Sequence, residues 1–457
     1  MRLINVGAFL DLEGQSDPPN NFVLKHFSDE ELRGIRYATM SHCWCAAGLA
    51  EEIQFKELNK ATLETMQDLR NRPGYRKIVK SCLLAREKGL EWLWVDTFCI
   101  MRESKTELSE AVNSMYQWYK NSEICFAYLH DVKFPLPTEP DAEIFLPFNG
   151  RSKWFLCSWT LQELLGSRVI HFFDQDWHLI GDKDKLAPKL MKITRIPADI
   201  LINGLPHPDD PCRPSVAQIM SWAADRKAST REDRAYALMG IFGVHMPIKY
   251  GEQEHAFRRL QVSIIKEYND HSIFAWFGEA RPGSILADDP RYFRGSADVV
   301  RLNPCDAFIR VCPGANEQVE DHEFFEVTEK GVEIWLPIIV GHANLRRCVQ
   351  AKLACCRKSP NRVPALITLN LMSKFRLLSD IEYFRGFENF RSRSEDPTFE
   401  KLLVVLDDKY TKTQSTGAAG GYDVDVPVSV IFERNNMTNM TSIGPSSSSW
   451  VHVAHRC

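Results

Sequence analysis

Nowhere in its 457 residues does the chain carry an apolar run near the roughly 18 residues that span a bilayer, so no membrane-crossing helix is expected. The start, Met1-Arg2-Leu3-Ile4-Asn5-Val6, meets acidic Asp11 and Glu13 too early for a secretory signal, and the expected location is the cytoplasm. Charge of one sign is also missing. The 56 basic and 60 acidic residues are mixed along the chain, with a formal net charge of -4. Neutralising phosphates takes a sustained basic stripe, so nucleic acid is not an expected partner. There is no Gly-rich phosphate loop, no internal repeat and no Cys-x-x-Cys ladder. The thirteen cysteines are odd in number, and Cys43, Cys82, Cys99, Cys125 and Cys157 lie in apolar segments where free Cys acts as a small hydrophobe. Reduced thiols are expected, with no metal and no resident cofactor.

Apolar residues make up 44% of the chain and charged ones 25%, enough material for two or three domains. The first half alternates strand-like and helix-like segments, the pattern of an α/β domain with a mostly parallel sheet. Tyr37 to His42 reads as a first strand, and Tyr75 to Lys88 as a helix stopped by Gly89. Trp92 to Asp96, apolar on both faces, reads as a central parallel strand. Ser104 with Glu107 forms a capping box before a helix whose Ala111, Val112, Met115, Trp118 and Tyr119 share a face. Ile124 to Leu129 and Arg168 to Phe173 supply a third and a fourth strand. Ligands of such sheets sit beyond the carboxyl ends of the strands, which here carry Ser41, His42 and Trp44, then Asp96 and Thr97, then His130 and Asp131.

Between the third and fourth strands, residues 154 to 165 (Trp-Phe-Leu-Cys-Ser-Trp-Thr-Leu-Gln-Glu-Leu-Leu) place one carboxylate, Glu163, on a short helix in apolar surroundings. Ser158 can cap that helix, and Leu161, Leu164 and Leu165 form its buried stripe. Trp159 and Glu163, four apart, lie together on the opposite face. A Glu near the positive end of a helix and beside an indole is expected to stay ionised and to face a cationic ligand group. Taken alone, the segment reads more readily as an ordinary solvated Glu on an amphipathic helix. His42, Cys43 and Cys45 lack the spacing of a zinc site, and Cys99 or Cys157 with His42 would make a thiol dyad only if the thiols were activated rather than packed.

Farther on, Ser229 and Glu232 cap a helix with Ala235, Leu238, Met239 and Phe242 on one face, ended by Gly243. Phe257, Leu260, Ile264 and Tyr268 stripe the next helix. Arg231 and Asp233 read as a structural ion pair or cap. From about Pro282 the pattern changes to short β-branched and aromatic runs, namely Phe324 to Val327, Val332 to Val340, Ala365 to Leu371 and Val426 to Phe432. Thr411 to Gly421 and Asn435 to Ser449 are polar and expected to be flexible.

Four stretches together resemble the heterokaryon incompatibility (HET) domain of filamentous fungi: Tyr37-Ala38-Thr39-Met40-Ser41-His42-Cys43-Trp44, Trp94-Val95-Asp96-Thr97-Phe98-Cys99-Ile100, Glu110 to Tyr119, and Trp154-Phe155 with Trp159-Thr160-Leu161-Gln162-Glu163-Leu164. Met220-Ser221-Trp222-Ala223, Thr230 to Tyr236 and Ser272-Ile273-Phe274-Ala275-Trp276 resemble the segment that commonly follows it. The resemblance runs to about residue 280. It implies a role in non-self recognition and programmed cell death. It also implies a flavodoxin-like fold, distantly similar to Toll/interleukin receptor (TIR) domains, whose NAD-cleaving members carry a Glu on the helix after the third strand.

On that resemblance Glu163 becomes the expected catalytic residue, with Ser41, His42, Trp44, Asp96 and Trp159 around the substrate. NAD or a related nucleotide is the candidate substrate. Cys45, Met101 and Cys157 depart from the family pattern, and Cys157 stands where an Arg often precedes the helix; its loss would weaken dinucleotide binding because Cys offers no charged fork. The expected division is residues 1–180 for the HET domain, 181–280 for a helical extension packed on it, and 281–457 for a β-rich module. Two classes of function follow. One is a NAD glycohydrolase; the other is a non-catalytic module that signals by self-association or by binding another incompatibility protein.

Overall fold

The computed structural model describes residues 1–13, 23–44, 51–59, 63–133, 152–277, 285–303 and 307, and the strands within 325–328, 331–343, 346–358, 366–376, 383–385, 398–404 and 430–433. The chain divides into two compact units, one of Met1–His207 with Asp225–Gln253, the other of Pro208–Ala224 with Glu254–Cys457. The helices between residues 181 and 280 are shared out between them.

The first unit is α/β, as the alternation of the first half implied. Its sheet holds β1 (Arg2–Asn5), β2 (Leu24–His26), β3 (Tyr37–His42), β4 (Trp92–Trp94), β5 (Ile124–Tyr128), β6 (Ile170–Phe173) and β7 (Leu179–Asp182), in the spatial order β2-β1-β4-β3-β5-β6-β7. β3 runs parallel to β4 and β5, and β5 runs parallel to β6. The outer strands β1, β2 and β7 are antiparallel additions. Numbered by themselves, the four parallel strands lie in the order 2-1-3-4, that of flavodoxin-like sheets, whose ligands gather where the winding reverses. That point lies at the carboxyl ends of β3 and β5.

All six residues of β3 are buried, because helices cover both faces. The helix Pro73–Glu87 starts with Pro at its first turn, buries Tyr75, Ile78, Cys82 and Ala85 at helical spacing, and is followed by Gly89 with φ of +69°. The helix Lys105–Asn121 buries Ala111, Val112, Met115, Tyr116 and Tyr119. Trp94 meets Tyr119 and Trp118 edge-on at 5.4 and 5.5 Å. Ser104 caps this helix by accepting from the Glu107 N–H at 3.3 Å, but the reciprocal half of the expected capping box is absent. The Glu107 carboxylate instead pairs with Arg2 at 2.6 Å and accepts from the Met101 N–H at 2.8 Å, while the Ser104 N–H donates to the Met101 carbonyl at 3.1 Å.

The helix Asp233–Phe242 packs on Lys105–Asn121, with Gly240 lying against Tyr116, and ends at Gly243 with φ of +68°. Its start also departs from expectation. Thr230, not Ser229, accepts from the Asp233 N–H at 3.3 Å, and Glu232 instead holds the N–H groups of Gly251 and Gln253 at 2.7 and 2.8 Å.

The second unit contains an antiparallel sheet in the order β13-β12-β11-β10-β14-β15, comprising β10 (Gly331–Ala343), β11 (Arg346–Arg357), β12 (Leu366–Arg376), β13 (Tyr383–Arg385), β14 (Thr398–Val404) and β15 (Val430–Glu433). β8 (Val299–Arg301) pairs with β11, and β9 (Phe325–Thr328) pairs with β10. The same unit holds the fully buried helix Val216–Ala223, started by a capping box of Ser215 and Gln218. The expected flexible stretches from Thr411 and Asn435 lie outside the described residues. Among the described residues no helix is long and apolar enough to cross a membrane.

Candidate functional site

The first unit builds a cavity of about 280 Å³ at the carboxyl ends of its parallel strands. β3 delivers Ser41 and His42 and runs on into Cys43 and Trp44. β4 leads through Val95 into the single turn Asp96–Cys99. After β5, Asp131 accepts from Ser152 Oγ at 2.6 Å and from the Lys153 N–H at 2.8 Å, which fixes the start of the turn Lys153–Leu156. A second helix, Thr160–Gly166, follows.

The junction of those two helices is clamped from outside. Arg226 donates to the Cys157 carbonyl at 2.8 Å and to Thr160 Oγ1 at 2.9 Å. The Ser158 N–H donates to the Lys227 carbonyl at 2.8 Å. Ser158 does not cap the helix, contrary to expectation. The helix begins at Trp159, already in αR geometry, with no side-chain cap.

Every residue from Thr160 to Gly166 is buried, because the helices Lys105–Asn121 and Asp233–Phe242 cover the face that the sequence pattern left to solvent. Glu163 is 6% exposed. Ser41 Oγ donates to its carboxylate, and Trp154 Nε1 donates to Ser41 Oγ at 2.7 Å, so an indole and a hydroxyl stand in line behind the carboxyl group. Burial pushes the Glu163 carboxyl well above the usual carboxylate range. The Ser41 hydrogen bond pulls the other way, the negative charges of Cys157 and Asp96 add to the rise, and Arg226 opposes it. The expectation of a permanently ionised Glu163 is thereby corrected: removal from water outweighs the favourable contacts.

A second cluster lies beside it. His42, with a side chain 1% exposed, sits 3.6 Å from Glu52 and 3.9 Å from Asp96, and neither ring nitrogen makes a hydrogen bond among the described residues. Glu52 also pairs with buried Lys77. Burial pushes the Glu52 carboxyl up, but His42 and Lys77 together hold it well below the usual range. At the cavity mouth Trp44 Nε1 donates to Asp96 at 2.9 Å, Arg102 donates to the same carboxylate at 3.3 Å, and the Arg102 guanidinium lies 4.1 Å from the centre of the Trp44 ring.

Of the residues expected from sequence, Glu163, His42, Trp44, Asp96 and Trp159 line the cavity together. Ser41 lies behind them, in contact with Glu163. Sequence reasoning passed over Arg102, Lys227 and Tyr250, and it assigned Asp233 to structure, yet all four line the same cavity. Tyr250 donates to Asp233 at 3.0 Å, and burial pushes the Asp233 carboxyl up. Cys99 accepts from the Val95 N–H at 3.4 Å, and burial pushes its thiol up to about 12, which suits packing and not a dyad with His42. Cys45 lies outside the described residues. Among the described residues, the one group of metal-type side chains is Asp174, Asp176 and His178 in the β6–β7 turn, where Asp174 accepts from the N–H groups of the other two.

Residues 37–135 match the family model described as Heterokaryon incompatibility protein (HET). That segment carries Ser41, His42, Trp44 and Asp96, while Trp159 and Glu163 lie downstream of it. The chain is 36% identical over 232 residues to vegetative incompatibility protein HET-E-1 of Podospora anserina, a match covering 50% of this chain and 16% of that protein. The chain thus spans a small part of the length of the relative it matches. No solved structure matches it significantly. The two positive matches agree in kind: part of this chain is similar to heterokaryon incompatibility proteins.

Proposed function

We propose that this chain acts in non-self recognition leading to programmed cell death, and that it does so by cleaving NAD at the nicotinamide-ribose bond. The observation that carries the reading is the buried carboxyl of Glu163, backed by Ser41 and Trp154, at the floor of a cavity where the sheet's winding reverses. A cavity of about 280 Å³ is near the lower end of ligand clefts, roughly 300–1,000 Å³, and suits the nicotinamide-ribose half of a dinucleotide. In the cleavage, the bonding electrons pass to the ring nitrogen, turning a pyridinium into neutral nicotinamide, so no acid is needed for the leaving group. Positive charge develops on the ribose, water adds to its anomeric carbon, and the water's proton leaves. Glu163 serves as the fixed anion facing that charge. A cationic pyridinium entering the cavity favours the ionised carboxylate that burial alone disfavours. Trp44 and Trp159 offer aromatic faces to the ring, and Arg102 and Lys227 supply cations for a phosphate.

The test is to incubate purified protein with NAD, at high protein concentration to favour assembly, and to quantify released nicotinamide. Time-dependent release supports the reading; none above a buffer control sinks it. One observation favours a second reading, a non-catalytic module that signals by self-association or partner binding: Trp44, Arg102 and Asp96 already pair with one another at the cavity mouth. On that reading Glu163→Gln leaves cell killing intact.

A further inference from the structure

We propose that Asp233 is a second working carboxyl of the cavity: held by the Tyr250 hydroxyl, it takes the proton of the water that adds to the ribose. The inference deepens the NAD-cleaving reading and rests on it. Glu163 and Asp233 reach the cavity from two different helices, Thr160–Gly166 and Asp233–Phe242, which pack on each other. A ligand filling that one cavity of about 280 Å³ meets both carboxyls.

Asp233 is 8% exposed, and Tyr250 Oη donates to its Oδ1 at 3.0 Å. The segment carrying Tyr250 is anchored from the same helix and the residue before it. Glu232 accepts from the N–H groups of Gly251 and Gln253, Tyr236 Oη accepts from the Lys249 N–H at 2.9 Å, and the Tyr236 ring meets Tyr250 edge-on at 5.7 Å. These contacts fix one phenol against one carboxyl on a cavity wall that both line. The two carboxyls differ in what stands behind them. Glu163 is backed by the buried side chains of Ser41 and Trp154, the setting of a fixed anion, whereas Asp233 is joined to solvent through the exposed Tyr250. Burial pushes the Asp233 carboxyl up and the Tyr250 hydrogen bond pulls it back, and a carboxylate raised toward neutrality is the better proton acceptor. As the bond to nicotinamide breaks, its electron pair goes to the ring nitrogen and the water oxygen bonds to the anomeric carbon. One O–H bond of that water breaks, and its proton passes to the Asp233 carboxylate and then to solvent. Glu163 stays an anion throughout.

The test uses a second nucleophile. A pyridine such as 3-acetylpyridine adds to the ribose through a nitrogen with no proton to lose, so base exchange needs Glu163 but not Asp233. The full chain is incubated with NAD and 3-acetylpyridine, and ADP-ribose and the exchanged dinucleotide are quantified by chromatography. In Asp233→Asn, hydrolysis is expected to fall about a hundredfold while exchange persists. Tyr250→Phe keeps the ring and is expected to raise the ratio of exchange to hydrolysis at least about threefold. Glu163→Gln lowers both products together. A folded Asp233→Asn protein whose ratio does not rise overturns this proposal and leaves NAD cleavage standing. Should Asp233→Asn fail to fold, Tyr250→Phe decides by the same ratio, and no rise overturns the proposal. Wild-type protein that releases no nicotinamide overturns NAD cleavage and this inference with it.

Discussion

Ser41→Ala probes the line of groups behind Glu163. The hydroxyl is fully buried, accepts from Trp154 Nε1 at 2.7 Å and donates to Glu163. Removing its oxygen strands the indole N–H, since Trp154 is itself 1% exposed and water cannot replace the acceptor. A stranded buried donor costs about 1–3 kcal/mol. At about 2–4 °C per kcal/mol for a unit of this length, the melting temperature should fall by roughly 2–12 °C. Trp154→Phe removes the donor instead and keeps an aromatic ring in place. In the double variant no donor is left stranded, so its cost should fall below the sum of the single costs by about 0.5–3 kcal/mol. Urea denaturation of the four proteins, followed by far-UV circular dichroism so that loss of an indole does not alter the signal, measures the coupling. Costs that add within about 0.5 kcal/mol would refute the line of hydrogen bonds.

Because burial raises the Glu163 carboxyl in the folded state, its contribution to stability is fully present below the unfolded value and is lost as pH rises toward the folded one; Glu163→Gln should gain stability over wild type as pH climbs above about 4.3, and a relative loss with rising pH would contradict the burial account. Gly240→Ala pits a helix-propensity gain of about 1 kcal/mol against a new Cβ that would overlap Tyr116 Cβ, an atom anchored to its own backbone, so overpacking should win with a net loss of about 1–2 kcal/mol in denaturant-derived stability, and an unchanged or raised stability would count against the close helix contact. Lys77→Met takes from buried Glu52 the ammonium that pairs with it and should cost about 3–5 kcal/mol in the same assay, whereas a loss below about 1 kcal/mol would mean that water reaches the pair.

The parallel strands were legible because β4 and β5 are contiguous apolar runs and β3 and β6 are short runs rich in apolar and aromatic residues, and the strand ends that gather at the cavity follow from their order alone. The antiparallel strands β1, β2 and β7 were not legible. Each is three or four residues long and holds at most two apolar residues, too few for a run or a period to show. The burial of Glu163 escaped sequence reasoning for a different reason. Its own helix shows an apolar stripe and an opposite face, but the element that covers the opposite face, Asp233–Phe242, arrives far downstream. Both expected capping boxes, at Ser104 and Ser229, failed for a like cause: Glu107 and Glu232 found long-range partners that the local motif does not contain.

The most direct measurement of the central claim compares wild type with Glu163→Gln for nicotinamide release and, in parallel, for NAD binding by calorimetry. Gln keeps the shape of the side chain and its helix propensity but cannot face a cationic transition state. The hydrolase reading predicts retained binding with release slowed about a hundredfold, equivalent to a lost electrostatic contact of about 3 kcal/mol. Undiminished release by a folded, NAD-binding Glu163→Gln protein would contradict it.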